Sequence, residues 1–184
     1  MARAIRVADL LWRFAAIASL SLIFAIALGW FGGLRLIMTS SVPKGLWWVH
    51  HGDVARGRYV LTCLPANIAS IGKRAGYLSP GFCAEQSMPV MKRVVALKGD
   101  VVVVSEQGVA VNGVALPSSK RLTHDSRGEP IPGLISFATY RVGDDAVWLL
   151  GDWFKSWDSR YYGSASLVRV IGIGTPLFVT PPGS

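Results

Sequence analysis

The sequence predicts a mainly β protein, an antiparallel β-domain behind one N-terminal transmembrane helix. Three observations lead there. Phe14 to Leu34 is a run of 21 residues without a charge, bounded by Arg13 and Arg35. Beyond it, short aliphatic and aromatic runs alternate with turns rich in Gly, Pro and Asn, and no helical period stands out. Hydrophobic residues make up 51% of the 184-residue chain and charged residues only 16%. That balance excludes a disordered chain and sets the protein apart from an ordinary cytosolic enzyme.

As a helix, Phe14 to Leu34 spans about 31 Å, the thickness of a bilayer core. Its only polar side chains are Ser19 and Ser21, which can bond back to the helix backbone. Arg3, Arg6 and Arg13 precede it against a single Asp9, so the positive-inside rule makes 1–13 a cytoplasmic tail, 14–34 a transmembrane helix and 36–184 an exported domain. A cleaved secretory signal is the alternative, because Ala25-Ile26-Ala27 resembles a small-x-small processing site. The continued apolar run to Leu34, with Trp30 suited to the membrane interface, favours a retained anchor. Either reading exports the rest of the chain.

The exported part reads as strands. Tyr59 to Cys63 and Val90 to Leu97 are β-type runs, the second followed by a Gly99-Asp100 turn. Val101 to Ser105 and Val109 to Val111 flank a short Gly-containing loop, and Asn112-Gly113 is a strong hairpin signal before Val114 to Leu116. Ala146 to Leu150 follows, then Leu167 to Thr175, whose glycines imply bends. Lys and Arg outnumber Asp and Glu by 19 to 11, a net charge of +8. Without residues 1–35 the balance is 15 against 10, or +5, with no basic cluster. The surplus therefore fits an anionic membrane face, a lipid bilayer rather than a nucleic acid.

Cys63 and Cys83 enclose 19 residues rich in Gly, Ala, Ser and Pro. In an oxidising compartment a disulfide there would stabilise by roughly 3 kcal/mol; two buried thiols are the alternative. No third or fourth ligand stands near them, and His50, His51 and His124 fall in loop-like sequence, so no metal and no cofactor are expected. Leu46, Trp47 and Trp48 suit either the bilayer interface or a core contact.

Chemistry then has to come from two other segments. Thr39-Ser40-Ser41-Val42-Pro43-Lys44-Gly45-Leu46-Trp47 begins five residues past the apolar run. Met91-Lys92-Arg93-Val94-Val95-Ala96 puts a lysine inside an apolar strand, sharing a face with Val94 and Ala96. Desolvation lowers the pKa of such an amine, and a neutral amine can take a proton from a serine hydroxyl. Taken singly, the two segments are better explained as a solvated strand-end lysine and a Ser-rich loop.

Together the segments resemble the serine/lysine signal-peptidase superfamily, most closely its plasmid conjugal-transfer branch. Thr39-x-Ser41-x-Pro43-x-Gly45-x-Trp47 resembles the nucleophile box, and Met91 to Asp100 the base-bearing strand. Cys63-Leu64-Pro65 and Gly81-Phe82-Cys83 resemble the branch's paired cysteines. Ser156-Trp157-Asp158-Ser159-Arg160-Tyr161-Tyr162-Gly163 matches the Ser-x-Asp-Ser-Arg-x-x-Gly box. The resemblance implies a β-domain of the signal-peptidase type, Ser41 as nucleophile and Lys92 as general base. It further implies an oxyanion held by the Ser41 N–H and the Thr39 hydroxyl, with Ser156 orienting the lysine and Asp158 and Arg160 forming a supporting ion pair.

Ser40 offers a second register, but only Ser41 has a hydroxyl two residues upstream. Gly151-Asp152-Trp153-Phe154-Lys155 departs from the Gly-Asp-Asn motif of leader peptidases, and Asp152 carries no assigned role. The implied protein is a serine endopeptidase of the bacterial inner membrane, its catalytic domain in the periplasm. The implied partners are a membrane-held pre-protein or pilin precursor and other proteins of a conjugation apparatus. A general leader peptidase and a non-catalytic assembly factor of a conjugation channel are the alternatives. A self-cleaving DNA-binding regulator, also a serine/lysine enzyme, would need a DNA-binding domain for which 13 residues before the span leave no room.

Overall fold

The computed structural model of the protein describes residues 2–180. It divides into two compact units, Met1–Arg35 and Leu36–Ser184. The first consists chiefly of α1 (Ala2–Phe31), in which the 20 residues Trp12–Phe31 are long and apolar enough to cross a membrane. The helix stops three residues short of the expected Leu34, because Gly32 and Gly33 turn the chain and Gly33 takes a φ of 93°. A left-handed glycine just beyond the last turn is a common helix stop. Leu34 already belongs to the strand β1 (Leu34–Ile37).

The second unit is built of antiparallel β-sheets. The larger sheet has seven strands in the order β1-β2-β11-β3-β4-β9-β10. Here β2 is Gly45–His50, β3 Tyr59–Thr62, β4 Val90–Ala96, β9 Ala146–Leu150, β10 Ala165–Ser166 and β11 Val170–Val179. A smaller sheet in the order β7-β6-β5-β8 comprises β5 (Val101–Ser105), β6 (Gly108–Val111), β7 (Val114–Ala115) and β8 (Ala138–Arg141). The Asn112-Gly113 hairpin joins β6 to β7, with both residues at positive φ (49° and 82°) as such a turn requires. Val102, Val104, Val109 and Val111 of the small sheet pack on Val95, Ala96, Trp148 and Leu150 of the large one. The other face of β4 and β9 buries Val60, Val94, Val147 and Leu149. A register shift between Val94 and Ala96 puts Ala96 in the cluster of Val95, so the simple alternation expected along β4 holds only as far as Val94.

Several elements differ from the sequence reading. The segment after Cys63 contains a helix, α2 (Ala66–Arg74), which buries Ile68, Ala69 and Gly72 against Trp157, Tyr161 and Tyr162. Ala69 and Gly72 on its buried side let the helix approach closely. A Cβ at Gly72 would lie 2.5 Å from the Trp157 ring. Trp47, read as a candidate for the bilayer interface, is fully buried with Val42, Leu61 and Met91. Residues Leu167–Arg169 form a 3₁₀ turn rather than the start of the last strand, which begins at Val170 and bulges before Gly172.

Cys63 and Cys83 form a disulfide with a Cα–Cα distance of 5.5 Å. It closes the loop carrying α2, whose few buried side chains would hold it weakly alone. Native protein should therefore titrate no free thiol. The double variant Cys63→Ser/Cys83→Ser should lose about 3 kcal/mol in urea unfolding, the entropy of closing a loop of this length.

Candidate active site

Lys92 lies in the middle of β4, opposite Val60 of β3, and is 3% exposed. Its Nζ donates to Ser41 Oγ at 2.7 Å and to Ser156 Oγ at 2.6 Å. Three residues far apart in sequence thus meet at one amine. The two hydroxyls lie 3.4 Å from each other. Ser40 lines the same cleft but makes no bond to the amine.

Ser41 sits in the turn between β1 and β2, and neighbouring residues fix that turn. Val42 is 1% exposed within the Trp47 cluster, and Trp47 Nε1 donates to the Pro43 carbonyl at 3.0 Å. On the other side, the Asp152 N–H donates to the Ser41 carbonyl at 2.7 Å. Thr39 is exposed on the cleft wall.

Ser156 belongs to the loop leaving β9. Beyond it, Asp158 and Arg160 are both fully buried and paired through two bonds, Nε to Oδ1 at 2.8 Å and Nη2 to Oδ2 at 2.9 Å. Asp158 also accepts the Gly151 N–H at 2.9 Å, and Arg160 donates to the Phe154 and Ser118 carbonyls. The ion pair therefore fastens both ends of the loop that carries Ser156. Paired and hydrogen-bonded charges are the form in which buried ions are tolerated.

The electrostatics follow from this pairing. Burial pushes the Lys92 amine down from its usual 10.5 to about 8, Asp158 and Asp152 raise it, and Arg160 lowers it. No carboxylate bonds the amine directly, since Asp158 is committed to Arg160 and Asp152 to Arg93. An amine in this state can exchange a proton with a serine hydroxyl near neutral pH.

The site opens into a cleft of about 710 Å³. Tyr77 and Leu78 of the disulfide-closed loop line it, with Leu122, Ile131 and Trp153 from elsewhere in the domain. Among the described residues, no group of three His, Cys, Asp or Glu side chains could hold a metal. Sequence reasoning assigned nothing to Tyr59, Arg93, Gly151 or Asp152. The Gly151-Asp152 pair before Ser156 was visible, but its contacts were not.

The lowered amine carries a stability cost with a definite sign. Below pH 8 the lysine is charged in both folded and unfolded chains, and the folded state bears the full cost, roughly 3 kcal/mol. Between pH 8 and 10.5 the unfolded chain holds the extra proton, so stability rises with pH. Lys92→Met should accordingly be more stable than wild type at pH 7. Its advantage in urea unfolding should shrink steadily by pH 10.

Comparison with known proteins gives the chain a family. The family described as signal peptidase, peptidase S26, matches residues 8–178. A plasmid transfer protein TraF from Escherichia coli is 38% identical over 163 residues, covering 88% of this chain and 91% of its own length. A second Escherichia coli TraF is 37% identical over 147 residues, covering 79% and 82%. A probable conjugal transfer protein TraF from Sinorhizobium fredii (strain NBRC 101917 / NGR234) is 35% identical over 162 residues, covering 85% and 83%. Among solved structures, a signal peptidase I from Enterococcus faecalis V583 aligns with a TM-score of 0.39 and 20% identity, over 67% of this chain and 98% of that one. By the extent of the family match and the identity of these relatives, the chain belongs to the peptidase S26 family of signal peptidases.

Proposed function

We propose that this peptidase works through a Ser/Lys dyad, with Ser41 as nucleophile and Lys92 as general base. The observation that carries the reading is the buried Lys92 amine, within hydrogen-bond reach of Ser41 and Ser156. In the reacting state the neutral amine accepts the Ser41 Oγ–H proton while Ser156 fixes its direction. Ser41 Oγ attacks the scissile carbonyl. The resulting oxyanion is held by the Ser41 N–H and the Thr39 hydroxyl, an arrangement supported by the position of Thr39 on the cleft wall. Lys92, now an ammonium, gives its proton to the leaving amine. The acyl-enzyme is then resolved by water that Lys92 activates, or by an amine of the substrate, which would yield a cyclic product.

The substrate on this reading is an exported, membrane-held precursor of a conjugation apparatus, a pilin. Support comes from the relatives named as plasmid and conjugal transfer proteins. The anchor is Trp12–Phe31 in the inner membrane, with the N-terminus cytoplasmic and residues 36–184 periplasmic. Arg3 and Arg6 ahead of the span, Arg13 in its first turn and the Cys63–Cys83 disulfide support that orientation, because disulfides persist in the periplasm and not in the cytosol. Protease added to intact spheroplasts should digest the domain; a protected domain would reverse the topology.

The dyad has a sharper test. Arginine keeps the length and charge of Lys92 but cannot lose its proton at ordinary pH. Lys92→Arg should be about as inactive as Ser41→Ala, and the double variant little worse, since residues acting as one unit are non-additive. Thr39→Ala should lose part of the rate, as expected of one oxyanion donor, and Ser40→Ala should keep most of it. Wild-type activity should rise with pH through about 8. Substantial processing by Lys92→Arg would refute the mechanism.

A further inference from the structure

We propose that Tyr59, Arg93 and Asp152 form a positioning cluster that holds the Ser41 turn in line with the Lys92 amine. The inference rests on Ser41 and Lys92 being the reacting pair. The turn carrying Ser41 lies in no strand or helix, so something must tie it to the strand that carries Lys92. Asp152 supplies that tie at both ends. Its N–H donates to the Ser41 carbonyl at 2.7 Å. Its Oδ2 accepts from Tyr59 OH at 2.6 Å and its Oδ1 from Arg93 Nε at 2.8 Å.

Tyr59 and Arg93 are register partners on β3 and β4, and Lys92 is the next residue along β4. The carboxylate is therefore pinned to the two strands beside the amine, and its own backbone N–H is aimed at the serine. Asp152 is buried enough, with a side chain 10% exposed, for these bonds to escape competition from water. Tyr59 reaches the same turn from its other side. It packs edge-on against Trp47 at 4.9 Å, and Trp47 bonds the Pro43 carbonyl.

The charge of Asp152 adds an effect that a mere brace would lack. The charged groups around Lys92 are Asp158 and Arg160 beyond the Ser156 loop, Asp152 after β9, and Arg93 beside it on β4. Asp152 raises the pKa of the Lys92 amine, so removing its charge disfavours the ammonium further. The alkaline rise in activity should then begin at lower pH.

The test uses the full-length protein in bilayer vesicles and an internally quenched peptide with Ala-x-Ala before the scissile bond. Asp152→Asn and Tyr59→Phe should each lower kcat about tenfold to a hundredfold, the scale set by misplacing a reacting group, and leave KM nearly unchanged. In Asp152→Asn the rising limb of the pH profile should move to lower pH. In Tyr59→Phe, which keeps the carboxylate charge and the packing on Trp47, the limb should stay in place. Wild-type kcat in both variants, or a loss with no limb shift in Asp152→Asn, overturns the cluster's role. Cleavage by Ser41→Ala in the same assay would instead overturn the underlying choice of nucleophile.

Discussion

The burial of one amine constrains the rest of this domain. Lys92 occupies a central strand whose two faces are packed, one against Val102 and Val104 of the small sheet, the other around Val60 and Leu149. A strand so enclosed cannot shift to let its lysine reach water. Nor does the interior give the amine a carboxylate. Asp158 is close enough to raise its pKa, yet both oxygens of Asp158 are held by Arg160. The guanidinium thus permits a buried acid near the lysine without fixing the lysine in its charged form. An Asp158 without Arg160 would either hold the lysine as an ammonium or leave a bare buried charge.

The same constraint gives the disulfide-closed loop a second hold on the site, beyond the cleft wall made by its Tyr77 and Leu78. Ser156 is followed by Trp157, whose ring lies against α2 at Gly72. Helix α2 is small and its buried face is made of Ile68, Ala69 and Gly72, too little apolar surface to dock firmly unaided. The Cys63–Cys83 bond keeps the helix against Trp157, and Trp157 keeps Ser156 under the amine. The loop and the Ser156 hydroxyl bonded to the lysine are therefore linked through the Trp157 ring.

How much of this could be read in the sequence depended on the range of the interactions. Strand runs such as Val101–Ser105 and Ala146–Leu150 were legible residue for residue, because β-branched and aliphatic side chains on a half-buried sheet leave a local pattern. The Asn112-Gly113 hairpin was equally local. Helix α2 was not, since its nine residues carry only a short apolar face, in which Ala69 and Gly72 allow close approach but add little hydrophobic signal beside Ile68. Trp47 was ambiguous for a different reason. A tryptophan near a membrane span suits an interface or a core, and only the long-range meeting with Leu61 and Met91 decides for the core. At the site, the four motif boxes named Ser41, Lys92, Ser156, Asp158 and Arg160. The links among Tyr59, Arg93 and Asp152 cross strands and loops, and no spacing along the chain encodes them.

The Gly151-Asp152 pair shows what such a long-range requirement looks like once the contacts are known. Gly151 is not among the residues with positive φ, so its glycine is not demanded by backbone conformation. It is demanded by space. A Cβ there would lie 2.5 Å from Ser156 Cβ and 2.9 Å from the Ser41 carbonyl oxygen, distances no real side chain tolerates. Any larger residue must displace one of the two serine loops. Moving Ser156 takes its hydroxyl away from the Lys92 amine, and moving the Ser41 carbonyl breaks its bond to Asp152. Position 151 is thus where the two loops touch, and the absence of a side chain there lets both serines reach one lysine. The next residue then turns that close approach into a fixed one, because the Asp152 N–H donates to the Ser41 carbonyl and its carboxylate is already held by the sheet.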